Sequence, residues 1–126
     1  MSANEKFEIR GVNHLALVCK DMKRTVDFYS GILGMPLTKT IDLPNGMGQH
    51  FFFDIGKGDS LAFFWFPDAP ESQPGVTHPE AMVGKGSIVS AHASMNHIAL
   101  DAVSYTHLRA HETEADLVCR LVLEKK

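Results

Sequence analysis

The sequence predicts an α+β fold built on a β-α-β-β-β unit, and three observations carry that prediction. A pentapeptide occurs twice, as Asn13-His14-Leu15-Ala16-Leu17 and as Asn96-His97-Ile98-Ala99-Leu100. An amphipathic helical stretch follows the first copy. Short runs rich in aromatic residues, separated by turn formers, follow the helix and read as strands. In a strand successive side chains point to opposite faces, so His14 shares a face with Ala16 and Val18 while Leu15 and Leu17 share the other. A repeated strand implies a repeated unit, and two such units packed with their histidine faces converging would bring two imidazoles into one cavity.

The elements follow in chain order. Phe7 to Val18 reads as the first strand, and Asp21 as the N-cap of a helix. Met22, Val26, Tyr29 and Leu33 recur at helical spacing, Phe28 and Ile32 widen the stripe, and Gly34 stands where a C-terminal cap belongs. Leu37 to Leu43 then alternates as a strand, and Pro44-Asn45-Gly46-Met47-Gly48 is dense in turn formers. Gln49 to Ile55 and Leu61 to Phe66 are two further strands joined by the tight turn Gly56-Lys57-Gly58-Asp59. Phe51-Phe52-Phe53 and Phe63-Phe64-Trp65-Phe66 are apolar on both faces, which requires cover on each side. The helix covers one face, and the other calls for a ligand cavity or a second sheet.

Residues 68–94 carry Pro70, Pro74 and Pro79 with Gly75, Gly84 and Gly86 and show no periodicity, as expected of a linker or lid. The second pentapeptide strand, 95–101, follows. Residues 104–126 read as one polar helical segment with Leu108, Leu117, Val118, Leu121 and Val122 as scattered apolar positions.

With 126 residues, one domain or two small modules sharing a core fit the length. A hydrophobic share of 44%, a charged share of 21% and a net charge of -3 are ordinary for a globular protein and give no reason to expect nucleic acid. No apolar run is long enough to span a bilayer, and Met1 to Arg10 lacks the apolar core of a secretory signal, so the expected location is cytoplasmic, without a membrane partner. Two cysteines, Cys19 and Cys119, are too few for a disulfide framework, and Cys19 is expected in the core.

The strand Asn13 to Leu17, the helix 21–34 with Asp27-Phe28-Tyr29 and Leu33-Gly34-Met35, and the returning Asn96 to Leu100 together resemble the vicinal oxygen chelate superfamily. Its members include glyoxalase I, fosfomycin-resistance transferases, bleomycin-resistance proteins and type I extradiol dioxygenases. The resemblance covers residues 7–101. It implies paired β-α-β-β-β modules curled around a divalent metal (Fe, Mn, Zn or Ni) that chelates neighbouring oxygens of a small-molecule substrate. It also implies that His14 and His97 are metal ligands, one from the first strand of each module. The carboxylate that glyoxalase I supplies from the last strand of its first module falls, on this alignment, at Phe63, which cannot ligate. The implied set is then two histidines and a glutamate on the last strand of the second module.

In this reading module one spans 7–67, the linker 68–94 and the first strand of module two 95–101, together a domain of 1–103. The second module is incomplete. The run from Ser104 to Thr113, followed by Leu-Val-Cys-Arg-Leu, resembles translated adapter sequence. The expectation is therefore a truncated member with a foreign tail over 104–126, in which pairing of two chains into a homodimer would restore a composite cavity.

Each histidine also has a plainer reading. His14 and His97 could be hydrogen-bonded strand residues. His50, at the start of an aromatic strand, is the candidate acid-base residue because an imidazole titrates near neutral pH, and a structural role is its alternative. His78 and His92 read as solvated loop residues. His107 and His111 share a helix face without matching the His-Glu-x-x-His pattern. The expected function is a metal-dependent enzyme of the glyoxalase or extradiol dioxygenase kind. The alternatives are a metal-independent ligand-sequestering protein of the bleomycin-resistance kind and an inactive fragment.

Overall fold

A computed structural model describes residues 4–71, 82–85, 88–91, 95–102 and 120–124. The alternation expected of the first pentapeptide forms β1 (His14–Cys19), with His14, Ala16 and Val18 exposed and Leu15, Leu17 and Cys19 turned inward. The strand begins later than its pattern suggests. Phe7, Ile9 and Val12 alternate with polar residues but are 62%, 76% and 59% exposed. Alternation makes a strand only where a neighbour supplies hydrogen bonds, and the Ser60 amide donates to Asn13 O where the ladder starts.

The helix opens as expected. Asp21 accepts from the Arg24 amide at 3.0 Å and caps α1 (Met22–Val26). Beyond Val26 the hydrogen bonding widens to a π-helical segment, Asp27–Ile32, in which the Leu33 amide reaches Phe28 O at 2.9 Å. Widening brings two consecutive aromatics, Phe28 and Tyr29, onto the sheet side, both buried. Ile32 is correspondingly turned out, at 37% exposure, and Thr25 takes a buried place with its hydroxyl donating to Asp21 O. Gly34 (φ 72) ends the helix, and the Met35 amide bonds Tyr29 O across it.

Three strands follow as expected: β2 (Leu37–Asp42), β3 (Gln49–Gly56) and β4 (Asp59–Trp65). The sheet order is β1-β4-β3-β2, with β1 parallel to β4 and the other pairs antiparallel. This is the β-α-β-β-β unit read from the sequence. Its helix-side face carries the core: Cys19, Met22, Phe28, Tyr29, Phe53, Leu61 and Phe63, with Phe53, Leu61 and Phe63 at 0% exposure. Full burial of a side chain of this size stabilises by about 1.5–3 kcal/mol. The Tyr29 ring sits 4.8 Å from Phe63 and 5.8 Å from Phe53, locking helix to sheet. Cys19 is 2% exposed, as expected of a core thiol, and burial pushes its pKa up.

Two expectations are corrected beyond the first unit. Within the stretch read as an aperiodic linker or lid, Met82–Lys85 (β5) and Ile88–Ala91 (β6) form an antiparallel pair. Val83, Ile88 and Val89 supply the β-branched side chains that favour such pairing, a signal masked by the surrounding prolines. Within the tail read as helical, Arg120–Glu124 (β8) is a strand and pairs in parallel with β7 (His97–Asp101). The run Leu121-Val122-Leu123 is apolar at every position, and so short a run is compatible with either helix or strand until a neighbour decides. His97 is exposed and Ile98 half-buried, the same alternation as in β1. Ile98 packs against the core of the first unit. His78, His92, His107, His111 and Cys119 lie outside the described residues. No helix among the described residues is long and apolar enough to cross a membrane.

Gly48 shows how closely the turn after β2 folds back on the sheet. Its φ is 147, and a Cβ placed there would stand 2.0 Å from Trp65 O, a backbone atom that cannot swing aside. Gly48→Ala is expected to cost about 2 kcal/mol or more, read as a lower urea midpoint at unchanged m-value.

Candidate functional site

The face of the sheet opposite the helix carries the candidate residues, and strand register decides which of them meet. Residues directly opposite each other share a face. Ser60 is opposite His14, Ala62 opposite Ala16 and Phe52, and Phe64 opposite Val18 and His50. Lys39 is opposite Phe52, and Ile41 opposite His50. His14 and His50 thus lie on one face with Phe52 between them. The Phe52 centroid is 5.6 Å from the His14 ring and 4.3 Å from the His50 ring. Ala62, fully buried, is small enough to let the side chains of β1 and β3 approach over it. His50 stacks on Phe64 at 3.6 Å and 14°, and Phe64 in turn lies parallel to Phe66 at 5.7 Å.

The same register revises one position carried over from the resemblance. Phe63 is opposite Leu17, packs on Tyr29 and belongs to the helix-side core. It therefore cannot mark a ligand position beside His14. On β4 the histidine face is held by Ser60, opposite His14, and by Ala62 and Phe64, none of which supplies a carboxylate.

Each copy of the pentapeptide builds the same local hydrogen bond. His14 Nδ1 is 2.8 Å from Asn13 Oδ1, and His97 Nδ1 is 2.6 Å from Asn96 Oδ1. An amide oxygen only accepts, so Nδ1 carries the proton and donates, which leaves Nε2 with its lone pair in the neutral ring. That is the form in which an imidazole binds a metal, with its other nitrogen anchored. The chemistry of each histidine thus fits a divalent ion of the type held by nitrogen and oxygen donors. Among the described residues, no group of three or more His, Cys, Asp or Glu stands close enough to hold one. The asparagines preceding both histidines were visible in the sequence, but their role appears only with the side-chain geometry.

His50 differs from the other two. Its Nε2 is buried without a hydrogen-bond partner among the described residues. Its pKa is lowered from 6.5, first by burial and then by electrostatic interaction with His14 and Lys39. The ring is therefore neutral at pH 7 and able to accept a proton. Lys39 itself was not singled out by the sequence. It reaches this face because the register shifts between Leu37 and Lys39, and its Nζ lies 5.5 Å from the Phe52 centroid.

The comparisons with known proteins agree with this architecture. Residues 11–116 match the family model described as the Glyoxalase/Bleomycin resistance protein/Dioxygenase superfamily. A lactoylglutathione lyase of Pseudomonas aeruginosa is 36% identical over 61 residues, 48% of this chain and 32% of the lyase. The protein YwbC of Bacillus subtilis is 28% identical over 109 residues, 85% of this chain and 74% of its own length. A crystal structure of a glyoxalase family protein from Enterococcus faecalis superposes with a TM-score of 0.54 at 16% identity, covering 74% of this chain and 62% of that protein. The chain thus spans about a third of the length of the lyase, and the likeness to the E. faecalis structure is one of fold.

The depressed pKa of His50 has a consequence for stability. Above about pH 6.5 both folded and unfolded rings are neutral and the contribution is flat. As pH falls below that value the unfolded chain takes up a proton that folded His50 resists, so stability declines until the folded ring protonates as well. Lys39→Met is expected to raise the His50 pKa towards 6.5, read by NMR titration of the ring protons. His50→Phe is expected to flatten the loss of urea midpoint between about pH 7 and pH 5.5.

Proposed function

The chain belongs to the Glyoxalase/Bleomycin resistance protein/Dioxygenase superfamily, and from that membership we propose that it is a metal-dependent enzyme acting on a small molecule with neighbouring oxygens. The observation that carries the metal reading is the Asn–His hydrogen bond built twice, at His14 and at His97. A strand histidine serving only as core would have no need of an exposed ring with its Nδ1 anchored and its Nε2 left open.

In this proposal His14 and His97 hold the ion through Nε2, and Asn13 and Asn96 keep both rings in the tautomer that can do so. When bound, a divalent ion supplies electrostatic stabilisation to negative charge developing on a substrate oxygen. His50 is the acid-base residue. Burial, with the Lys39 ammonium nearby, keeps it neutral, so it can take a proton from a carbon next to a carbonyl and return it to the adjacent position. The aromatic wall of Phe52, Phe64 and Phe66 excludes water from one side of the ring. The partial match to a lactoylglutathione lyase supports a glyoxalase-like reaction over an oxidative one, and S-lactoylglutathione is the first compound to assay.

Calorimetric titration of the metal-free protein with Zn(II) or Ni(II) tests the reading. His14→Ala and His97→Ala should each abolish measurable binding, and Asn13→Ala should weaken it by about 10–100-fold. Ligand binding that survives both EDTA and His14→Ala at full affinity would overturn the metal-dependent reading in favour of sequestration.

A further inference from the structure

The segment that leads into β1 has the pattern of a strand and, among the described residues, no strand beside it. Residues 7–10 run straight between a bend at 5–6 and a second bend at Gly11. They alternate apolar and charged as Phe7, Glu8, Ile9 and Arg10, so Phe7 and Ile9 share one side and Glu8 and Arg10 the other. All four are exposed, Ile9 the most of any large apolar residue described. Neither Glu8 nor Arg10 belongs to an ion pair among the described residues, where the pair found is Lys23 with Asp27 on the helix.

Read in the opposite direction, the segment complements itself. An antiparallel pairing about a two-fold axis at Ile9 sets Glu8 of each copy opposite Arg10 of the other, Ile9 opposite Ile9, and Phe7 opposite Gly11. Other registers lose this match. With the axis at residue 8 or residue 10, like charges meet, and with the axis midway between residues Ile9 is set against a charge. With the axis at Phe7, Lys6 does meet Glu8, but Ile9 is set against Glu5, and the Lys6 amide is already turned back onto Asn4 Oδ1 at 2.9 Å. Gly11 suits its place in the Ile9 register, because an aromatic ring opposite a glycine covers backbone that has no side chain of its own. A Cβ at Gly11 would meet nothing within 4 Å, so there is room for the ring.

We propose that residues 7–10 are a homodimerisation strand, which pairs antiparallel with the same residues of a second copy of this chain about an axis at Ile9. Phe7 and Ile9 of both copies gather on one side of the ribbon, and the two Glu8–Arg10 pairs lie on the other. So short a ribbon buries much less than a standard interface, and the dimer is accordingly weak, with a dissociation constant of about 1 µM to 1 mM. The contact lies apart from the open face of the sheet and stands or falls independently of the metal reading.

Sedimentation of the full chain from about 10 µM to 1 mM tests the proposal, with amide exchange at residues 7–10 as the local readout. The dimer should grow with concentration, and exchange from Phe7 to Arg10 should slow with it. Glu8→Arg and Arg10→Glu, both at exposed positions outside the core, should each loosen the dimer by about ten-fold. An equal mixture of the two variants should associate as the unsubstituted chain does, because opposite charges again meet at both positions. The double variant, Glu8→Arg with Arg10→Glu, should likewise recover. That second rescue belongs to the Ile9 register, since with Phe7 on the axis the reversed charge at position 8 would meet Lys6. A monomer across the whole range, a dimer indifferent to both single substitutions, or a double variant that does not recover would overturn the proposal. Slow exchange of the segment in a monomer would overturn it too, by showing that its own chain covers it.

Discussion

The parallel register of β1 on β4 is the constraint on which the rest depends. It sets Leu15 and Leu17 beside Leu61 and Phe63 under the helix, and in the same stroke sets His14 and Ala16 beside Ser60 and Ala62 on the open face. A slip of one residue would drive the imidazole into a fully buried aromatic core and expose the leucines. Core packing and site geometry are therefore not separate achievements of this sheet. The burial of Phe53, Leu61 and Phe63 against Tyr29 fixes which face His14, Lys39, His50 and Phe52 occupy, and only then can their mutual distances matter.

The open face shows the opposite economy from the core. On the helix side Leu61 and Phe63 of β4 are fully buried. On the histidine side Phe64 and Phe66 are only half covered, a lysine stands over Phe52, and a buried ring nitrogen of His50 has no partner among the described residues. Local rules of burial and pairing are followed where the fold needs them and relaxed on one surface, the pattern expected where a surface serves recognition.

Much of the fold was legible because its signals are periodic. The alternation in Asn13 to Leu17, the N-cap at Asp21, the cap at Gly34 and the hairpin at Gly56 to Asp59 are each decided by residues close in sequence. The misses share a different cause. Phe7 to Val12 alternates like a strand and lacks a sheet neighbour. Ile32, read as part of the apolar stripe with Phe28 and Tyr29, turns outward where the helix widens, which no 3.6-residue template anticipates. Leu121-Val122-Leu123 became a strand through pairing with a segment some twenty residues away. The face of Phe63 and the arrival of Lys39 beside Phe52 likewise depend on register between strands. The candidate site was legible as a list of histidines but not as a surface, since its lysine and its aromatic wall are assembled across β2, β3 and β4.

The two Asn–His hydrogen bonds join residues adjacent in sequence. Orientation of each imidazole therefore travels with its own strand and asks nothing of the other half of the protein. A fold that grows by repeating a strand can carry such a pre-aimed donor intact through duplication, permutation or exchange of segments between chains, and the same five-residue phrase remains competent wherever it is set down.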